Sequence, residues 1–257
     1  MAIKLDKTTA RIISSPPTIS RGDKISLKNR FQGHMRAGLG SSGAAGVMLV
    51  SLFNEYTKRG MTKEEIISTA WKIENETLGK TGIQDQYAAM YGGLNYLLVD
   101  HLGETVNVDR HPLPTKEISK YLSLYYIGGD RSSAEVQKYL GRSKKSFQAL
   151  LEAKKITQKA EIMLCQGDFE EMGWLLNEMW KTKKKSNLKM TNPRIDTIYY
   201  TAMMLGAWGG KVLGAGAGGY MIFLSPPKIR KRIERDLERM GTERVKFKID
   251  FQGTVIK

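Results

Sequence analysis

Gly38-Leu39-Gly40-Ser41-Ser42-Gly43-Ala44-Ala45-Gly46 runs without a break into Val47-Met48-Leu49-Val50-Ser51-Leu52-Phe53. The stretch reads as a phosphate-holding loop that opens a helix. Its glycines let the backbone turn tightly and approach an anion, while the first turn of the helix behind them offers unpaired N–H groups and the positive end of its dipole. Ser41 and Ser42 add hydroxyls that could reach a phosphate or a Mg2+ ion. The plain alternative is a glycine-rich turn capping a buried helix, with the two serines satisfying orphan amide donors.

Two further stretches bear on that choice. One is Gly82-Ile83-Gln84-Asp85-Gln86-Tyr87-Ala88-Ala89-Met90-Tyr91-Gly92-Gly93, preceded by Glu74-Asn75-Glu76-Thr77-Leu78-Gly79. The other is Lys211-Val212-Leu213-Gly214-Ala215-Gly216-Ala217-Gly218-Gly219, which leads into an apolar strand. In this order and at this spacing the three stretches resemble the GHMP sugar and small-molecule kinases, over roughly residues 36–251. Gly-Ile-Gln-Asp-Gln-Tyr-Ala-Ala followed by Gly-Gly-Leu-Asn-Tyr is similar to the heptose-phosphate kinase branch. The resemblance implies an α+β fold of two domains, an N-terminal S5-like domain and a C-terminal ferredoxin-like domain, with the active site between them. It also implies ATP and Mg2+ as cofactors and a sugar or sugar phosphate as acceptor, with the anomeric hydroxyl of a heptose 7-phosphate as the expected target.

By the same resemblance Gly38, Leu39, Gly40, Ser41, Ser42, Gly43 and Ala44 hold the ATP phosphates, and Gly214, Ala215 and Gly216 close over them or pack against the first loop. Arg131 and Gly216 are expected beside the acceptor sugar. Asp85 falls on the family's catalytic aspartate, next to the acceptor hydroxyl whose proton it would take. Glu74 falls on the acidic metal position, with Ser41 and Ser42 as hydroxyl ligands, whereas Glu76, two residues on, lies on another side of the helix and reads as solvated. Each assignment has an ordinary counterpart. Asp85 at a helix start would be stabilised as the anion, a weaker base and a ready N-cap. The third glycine stretch could be a glycine-rich strand hairpin.

The chain also departs from the family pattern. Met35-Arg36 stands where proline and a small residue are usual, and Gly128-Gly129 precedes Arg131 where relatives keep threonine-glycine. The family's first motif, which lines the sugar pocket and places a cation near the catalytic carboxylate, has no counterpart, so the chain is expected to lack the family's opening segment. Nucleotide binding should then survive while turnover is weak, and the alternative function is a shortened protein of this type that binds nucleotide or sugar phosphate without turnover. Missing strands would expose a sheet edge, which favours a homo-oligomer.

The whole chain sets wider bounds. With 257 residues, 41% hydrophobic and 26% charged, it is long enough for two modest domains, each with a core. No apolar run approaches the ~20 residues that span a bilayer, and the N-terminus lacks the apolar centre of a signal peptide, which makes cytoplasm the default. The one cysteine, Cys165, has no internal partner and reads as a packed helix residue. A net charge of +15 attracts nucleotides, sugar phosphates and nucleic acid alike. The basic runs Lys181-Thr182-Lys183-Lys184-Lys185 and Lys228-Ile229-Arg230-Lys231-Arg232 fall on expected helices, where solvated faces account for them better than a nucleic-acid footprint does.

Periodicity and breakers place the elements. Strands are expected at 2–5, 24–28, 96–99, 106–108, 121–127, 220–224 and 244–251. Helices are expected behind the glycine loop to about 60, over 62–78 behind a Thr62-to-Glu65 capping box, and at 83–91, 133–140, 145–165, 168–184, 193–208 and 226–240. The domains are expected at 1–113 and 114–257.

Overall fold

A computed structural model describes residues 38–79, 81–102, 105–113, 116–129 and 143–256. The strands expected at 2–5 and 24–28, the helix at 133–140, and Arg131 lie outside the described residues. The described chain packs as two units, one of 40–95 with 250–256 and one of 38–39 with 96–249. The first and the last segments are therefore distributed differently from the division at 113 and 114, because each goes with the elements it touches.

In the first unit, Gly40 has left-handed backbone (φ 68°, ψ 26°) and N-caps α1 (Ser41–Thr57). Next, α2 (Lys63–Leu78) carries the expected capping box. The Glu65 amide donates to Thr62 Oγ1 at 3.2 Å, and the Thr62 amide donates to Glu65 Oε2 at 2.7 Å, which satisfies two donors the helix itself cannot. A shorter helix, α3 (Gln84–Tyr91), follows. Val47 and Val50 on α1, Ile66, Ile67 and Ala70 on α2, and Tyr87 and Met90 on α3 are buried at three- and four-residue spacings, and these stripes build the core of the unit. The C-terminal stretch docks on the end of α3. Gly93 donates to the Asp250 carbonyl at 2.6 Å and Thr254 to that of Met90 at 3.1 Å. This docking accounts for the shortness of the last strand, expected over 244–251 and found only at Glu243–Val245.

In the second unit, β1 (Asn95–Leu102) and β2 (Thr105–Pro112) pair with each other. The main sheet is antiparallel, with β3 (Leu122–Gly128), β4 (Gly209–Val212), β5 (Gly219–Leu224) and β6 (Glu243–Val245) in the order β4-β5-β3-β6. Four helices join them: α4 (Lys144–Gln166), α5 (Phe169–Ser186), α6 (Pro193–Met204) and α7 (Arg230–Arg239). Tyr125 and Ile127 of β3, Met221 and Phe223 of β5 and Val212 of β4 present one face to Trp180, Ile198, Tyr199, Ile233 and Leu237 of the helices. Leu124 and Tyr220 face the other way, against Leu39, Leu213 and Val245. This is the expected antiparallel sheet with helices on one side.

Two expectations give way in this unit. Helix α6 stops at Met204 rather than 208, because Gly206 turns left-handed (φ 102°) and Trp208 already donates to the Leu224 carbonyl at 2.9 Å as the chain enters β4. Cys165, expected to be packed, is an exposed free thiol. Among the described residues no helix is long and apolar enough to cross a membrane.

Candidate functional site

The first glycine stretch is shared between the two units, with the chain passing from one to the other at the Leu39–Gly40 peptide. From Gly40 onward it behaves as a helix start without a side-chain cap. The Gly40 carbonyl accepts the first helical bond, from the Ala44 amide at 3.0 Å. Ser41 and Ser42 are the first two residues of α1, and neither hydroxyl makes a hydrogen bond among the described residues, so the capping role open to them in the sequence is not the one they take. The amides of this turn are left for an anion.

Asp85 lies against that turn. A Cβ on Gly40 would stand 3.0 Å from Asp85 Cγ, and one on Gly43 would stand 2.8 Å from Asp85 Cβ, so both glycines are required for the carboxylate to come so near. Asp85 is in the first turn of α3 but caps nothing, since Ile83 is the N-cap and receives no side-chain bond. Its carboxyl titrates above the usual aspartate range, first because it is withdrawn from solvent and second because Glu74 is near. This corrects the weak-base expectation: burial and a like charge outweigh the helix dipole.

Glu74 comes to the same place from α2. Its Oε2 accepts from Gln86 Nε2 at 2.5 Å and from Thr81 Oγ1 at 3.4 Å, while Glu76 is exposed. Gln86 is fully buried, and its Oε1 has no partner among the described residues. Glu74 Oε1 also makes no hydrogen bond there, and a hard oxygen left over in this way suits Mg2+, which takes few ligands from protein. Among the described residues no group of three or more His, Cys, Asp or Glu gathers into a ready-made metal cage. A magnesium site here would combine Glu74 with serine hydroxyl, water and phosphate oxygens.

The second unit holds the third glycine stretch, as a hairpin turn between β4 and β5. It is thus the strand hairpin of the simpler reading, and its Gly214 also lies on Gly38. A Cβ on Gly214 (φ 59°) would stand 2.6 Å from the Gly38 Cα, so the two glycine backbones lie directly against each other. Leu39 packs under Leu124 and Tyr220 beside them. Gly216 rests on Met190, whose carbonyl accepts from the Ala217 amide at 2.7 Å.

Lys183, read from the sequence as part of a solvated helix face, meets this turn. Lys183 Nζ donates to the Gly214 carbonyl. Burial, and then the charge of Lys211, hold its ammonium down to about 7, and burial lowers Lys211 as well. The run 181–185 is therefore not one solvated face. Trp180 is fully buried, and the residues three and four places on, Lys183 and Lys184, share its side of α5. That spacing is the signal that could have singled them out. Gln86 gave no such signal beyond standing next to Asp85.

Comparison with known proteins follows the same division of the chain. Residues 7–93 match the family model of the GHMP kinases N terminal domain, and residues 160–243 that of the GHMP kinases C terminal. The chain is 30% identical over 213 residues to a D-glycero-alpha-D-manno-heptose 7-phosphate kinase of Campylobacter jejuni, covering 79% of this chain and 62% of that protein. It is 29% identical over 191 residues to a mevalonate kinase of Saccharolobus solfataricus, covering 72% of this chain and 57% of that one. The chain thus spans about three fifths of the length of these relatives. The crystal structure of a D-glycero-D-manno-heptose 1-phosphate kinase from Bacteriodes thetaiotaomicron superposes with a TM-score of 0.64 at 26% identity, over 88% of this chain and 64% of that one.

Proposed function

We propose, from the premise that this chain belongs to the GHMP kinases and has their two-domain α+β fold, that it transfers the terminal phosphoryl group of ATP to a hydroxyl of a sugar phosphate. The observation that carries the reading is the placement of the Asp85 carboxylate against Gly40 and Gly43, at the uncapped start of α1. Phosphoryl transfer is mostly positioning and charge stabilisation, and these residues supply both. The free amides of the first turn of α1 hold phosphate oxygens, helped by Ser41 and Ser42. Asp85, made a better base by burial and by Glu74, accepts the proton of the attacking hydroxyl. Glu74 would hold Mg2+ through a carboxylate oxygen, and the ion would supply charge to spread that of the phosphates. From the family resemblance, Gly38 and Gly214 to Gly216 are the further candidates for the nucleotide phosphates, and Gly216 and Arg131 are the candidates for the sugar. Residues 1–113 and 114–257 are the proposed family domains, and the cytoplasm is the proposed location.

The likeness to the heptose-phosphate kinases supports a heptose 7-phosphate, phosphorylated at its anomeric hydroxyl, as acceptor. A coupled assay with ATP over heptose 7-phosphate, hexose phosphates, galactose and mevalonate tests this, run beside calorimetric titration with Mg-ATP. The expected result is a kcat/KM for the heptose phosphate at least about tenfold above the others, a difference of about 1.4 kcal/mol, with ATP affinity in the micromolar-to-millimolar range. ATP binding without turnover on any acceptor would move the chain to the binding-only reading. Preference for mevalonate or galactose would overturn the substrate.

A further inference from the structure

We propose that Lys183 and Lys211 form an anion site against the β4–β5 turn, and that this site takes a phosphoryl group. Lys211 lies in β4, three residues ahead of Gly214, and Lys183 reaches the same turn from the last turn of α5, where its Nζ donates to the Gly214 carbonyl. Neither ammonium has a carboxylate within ion-pair distance among the described residues. Other lysines of α5 do: Lys181 pairs with Glu178 at 2.8 Å, and Lys184 with Asp196 at 3.0 Å.

Two half-buried like charges that lack a counterion disfavour each other and the fold, unless an anion completes the group. The depressed ammonium of Lys183, pressed first by burial and then by Lys211, is the physical mark of that imbalance. The turn adds neutral donors. The amides of Gly214 and Ala215 give no hydrogen bond among the described residues, whereas those on either side are fixed, Leu213 to the Tyr220 carbonyl at 2.8 Å and Ala217 to the Met190 carbonyl at 2.7 Å. Left-handed backbone at Gly214, Gly216 and Ala217 (φ 59°, 99° and 67°) interrupts the strand geometry, so these amides are not committed to the sheet. Two cations and a set of free amides match a doubly charged phosphoryl group better than a singly charged carboxylate, which would leave one ammonium uncompensated.

The proposal rests on the kinase reading, to whose glycine turn it adds two cations. The phosphoryl group could be that of a nucleotide or the one already carried by the acceptor, and the two sources can be told apart. Calorimetric titration of the whole chain with pyrophosphate, ADP, adenosine, glucose 6-phosphate and glucose, for wild type, Lys183→Met, Lys211→Met and the double variant, is the test. Each single substitution is expected to weaken the phosphate-bearing probes by about tenfold, with adenosine and glucose unchanged and Lys183→Arg retaining binding. A loss confined to ADP and pyrophosphate assigns the site to the nucleotide, and one confined to glucose 6-phosphate assigns it to the acceptor. Melting temperature gives an independent reading: the methionine variants should melt above wild type without anion, and pyrophosphate should raise the melting point of wild type only. Equal binding by wild type and double variant, or no binding of any phosphate probe by wild type, overturns the site. Absence of turnover would count against the kinase reading and leave these binding outcomes intact.

Discussion

Asp85→Asn is expected to lower turnover by about 10²–10⁴ while raising the melting temperature of the chain. The first effect is what a positioned proton acceptor ordinarily supplies. The second follows from the environment of the side chain. The folded protein holds the Asp85 carboxyl above its ordinary value of 3.8 through burial and the nearby Glu74 charge, so it binds that proton more tightly than the unfolded chain does. Below the unfolded value both states are protonated and nothing is lost. As pH rises through the raised folded value the folded state must give up a proton it held more firmly, and stability falls. Asparagine keeps the shape, carries no charge and avoids that loss, for a gain of about 2–4 °C per kcal/mol in a chain of this size. Kinetics and thermal melts over a pH series should show the melting gap open as pH rises from acid. Unchanged turnover would remove Asp85 from the chemistry, and a variant less stable than wild type at neutral pH would contradict the account of its surroundings.

Gly40→Val should be the more damaging change overall, because it strikes the loop and the carboxylate together. A side chain at φ 68° is strained, and its Cβ alone would lie 3.0 Å from Asp85 Cγ and 3.2 Å from Asp85 Oδ1, with the valine methyls beyond. The strain is worth about 1–3 kcal/mol in stability. On sequence alone this glycine is a point where a phosphate meets backbone, which forecasts a loss of nucleotide affinity with little harm to folding. The packing against Asp85 adds that stability falls as well and that turnover drops with the displaced carboxylate. Denaturant unfolding beside calorimetric titration with ATP checks both parts. Unchanged affinity and unchanged stability would reduce the loop to an ordinary helix start.

What could be read in the residues, and what could not, divides along physical lines. Helix α2 was legible to its ends because Thr62 and Glu65 cap each other locally and Gly79 breaks the chain. Strands β3 and β5 were legible because long apolar runs have to be buried on both faces. Strand β4 was not, since Gly209-Gly210-Lys211-Val212 has no strand signature of its own. Its glycines answer to distant neighbours, as a Cβ on Gly209 would meet the Gly173 carbonyl oxygen at 1.8 Å and one on Gly210 the Phe223 ring at 2.3 Å. The candidate site shows the same pattern. The family resemblance singled out Asp85, Glu74 and the glycine turns as candidates. The basicity of Asp85 and the inward turn of Lys183 depend on what surrounds them in space, which no local spacing encodes.

The environment of Lys183 also gives that one nitrogen a chemistry of its own. Burial and then the charge of Lys211 hold the Lys183 ammonium well below the ordinary lysine range, so near neutral pH more of it is uncharged amine than of an ordinary surface lysine. An uncharged amine is a nucleophile. Acylating and reductively alkylating reagents are therefore expected to label Lys183 faster than the ordinary surface lysines of this very basic chain, limited by access to a half-buried atom. An anion resting on it would return the proton and quench that reactivity, so the covalent labelling of a single side chain becomes a gauge of whether the turn beside it is occupied.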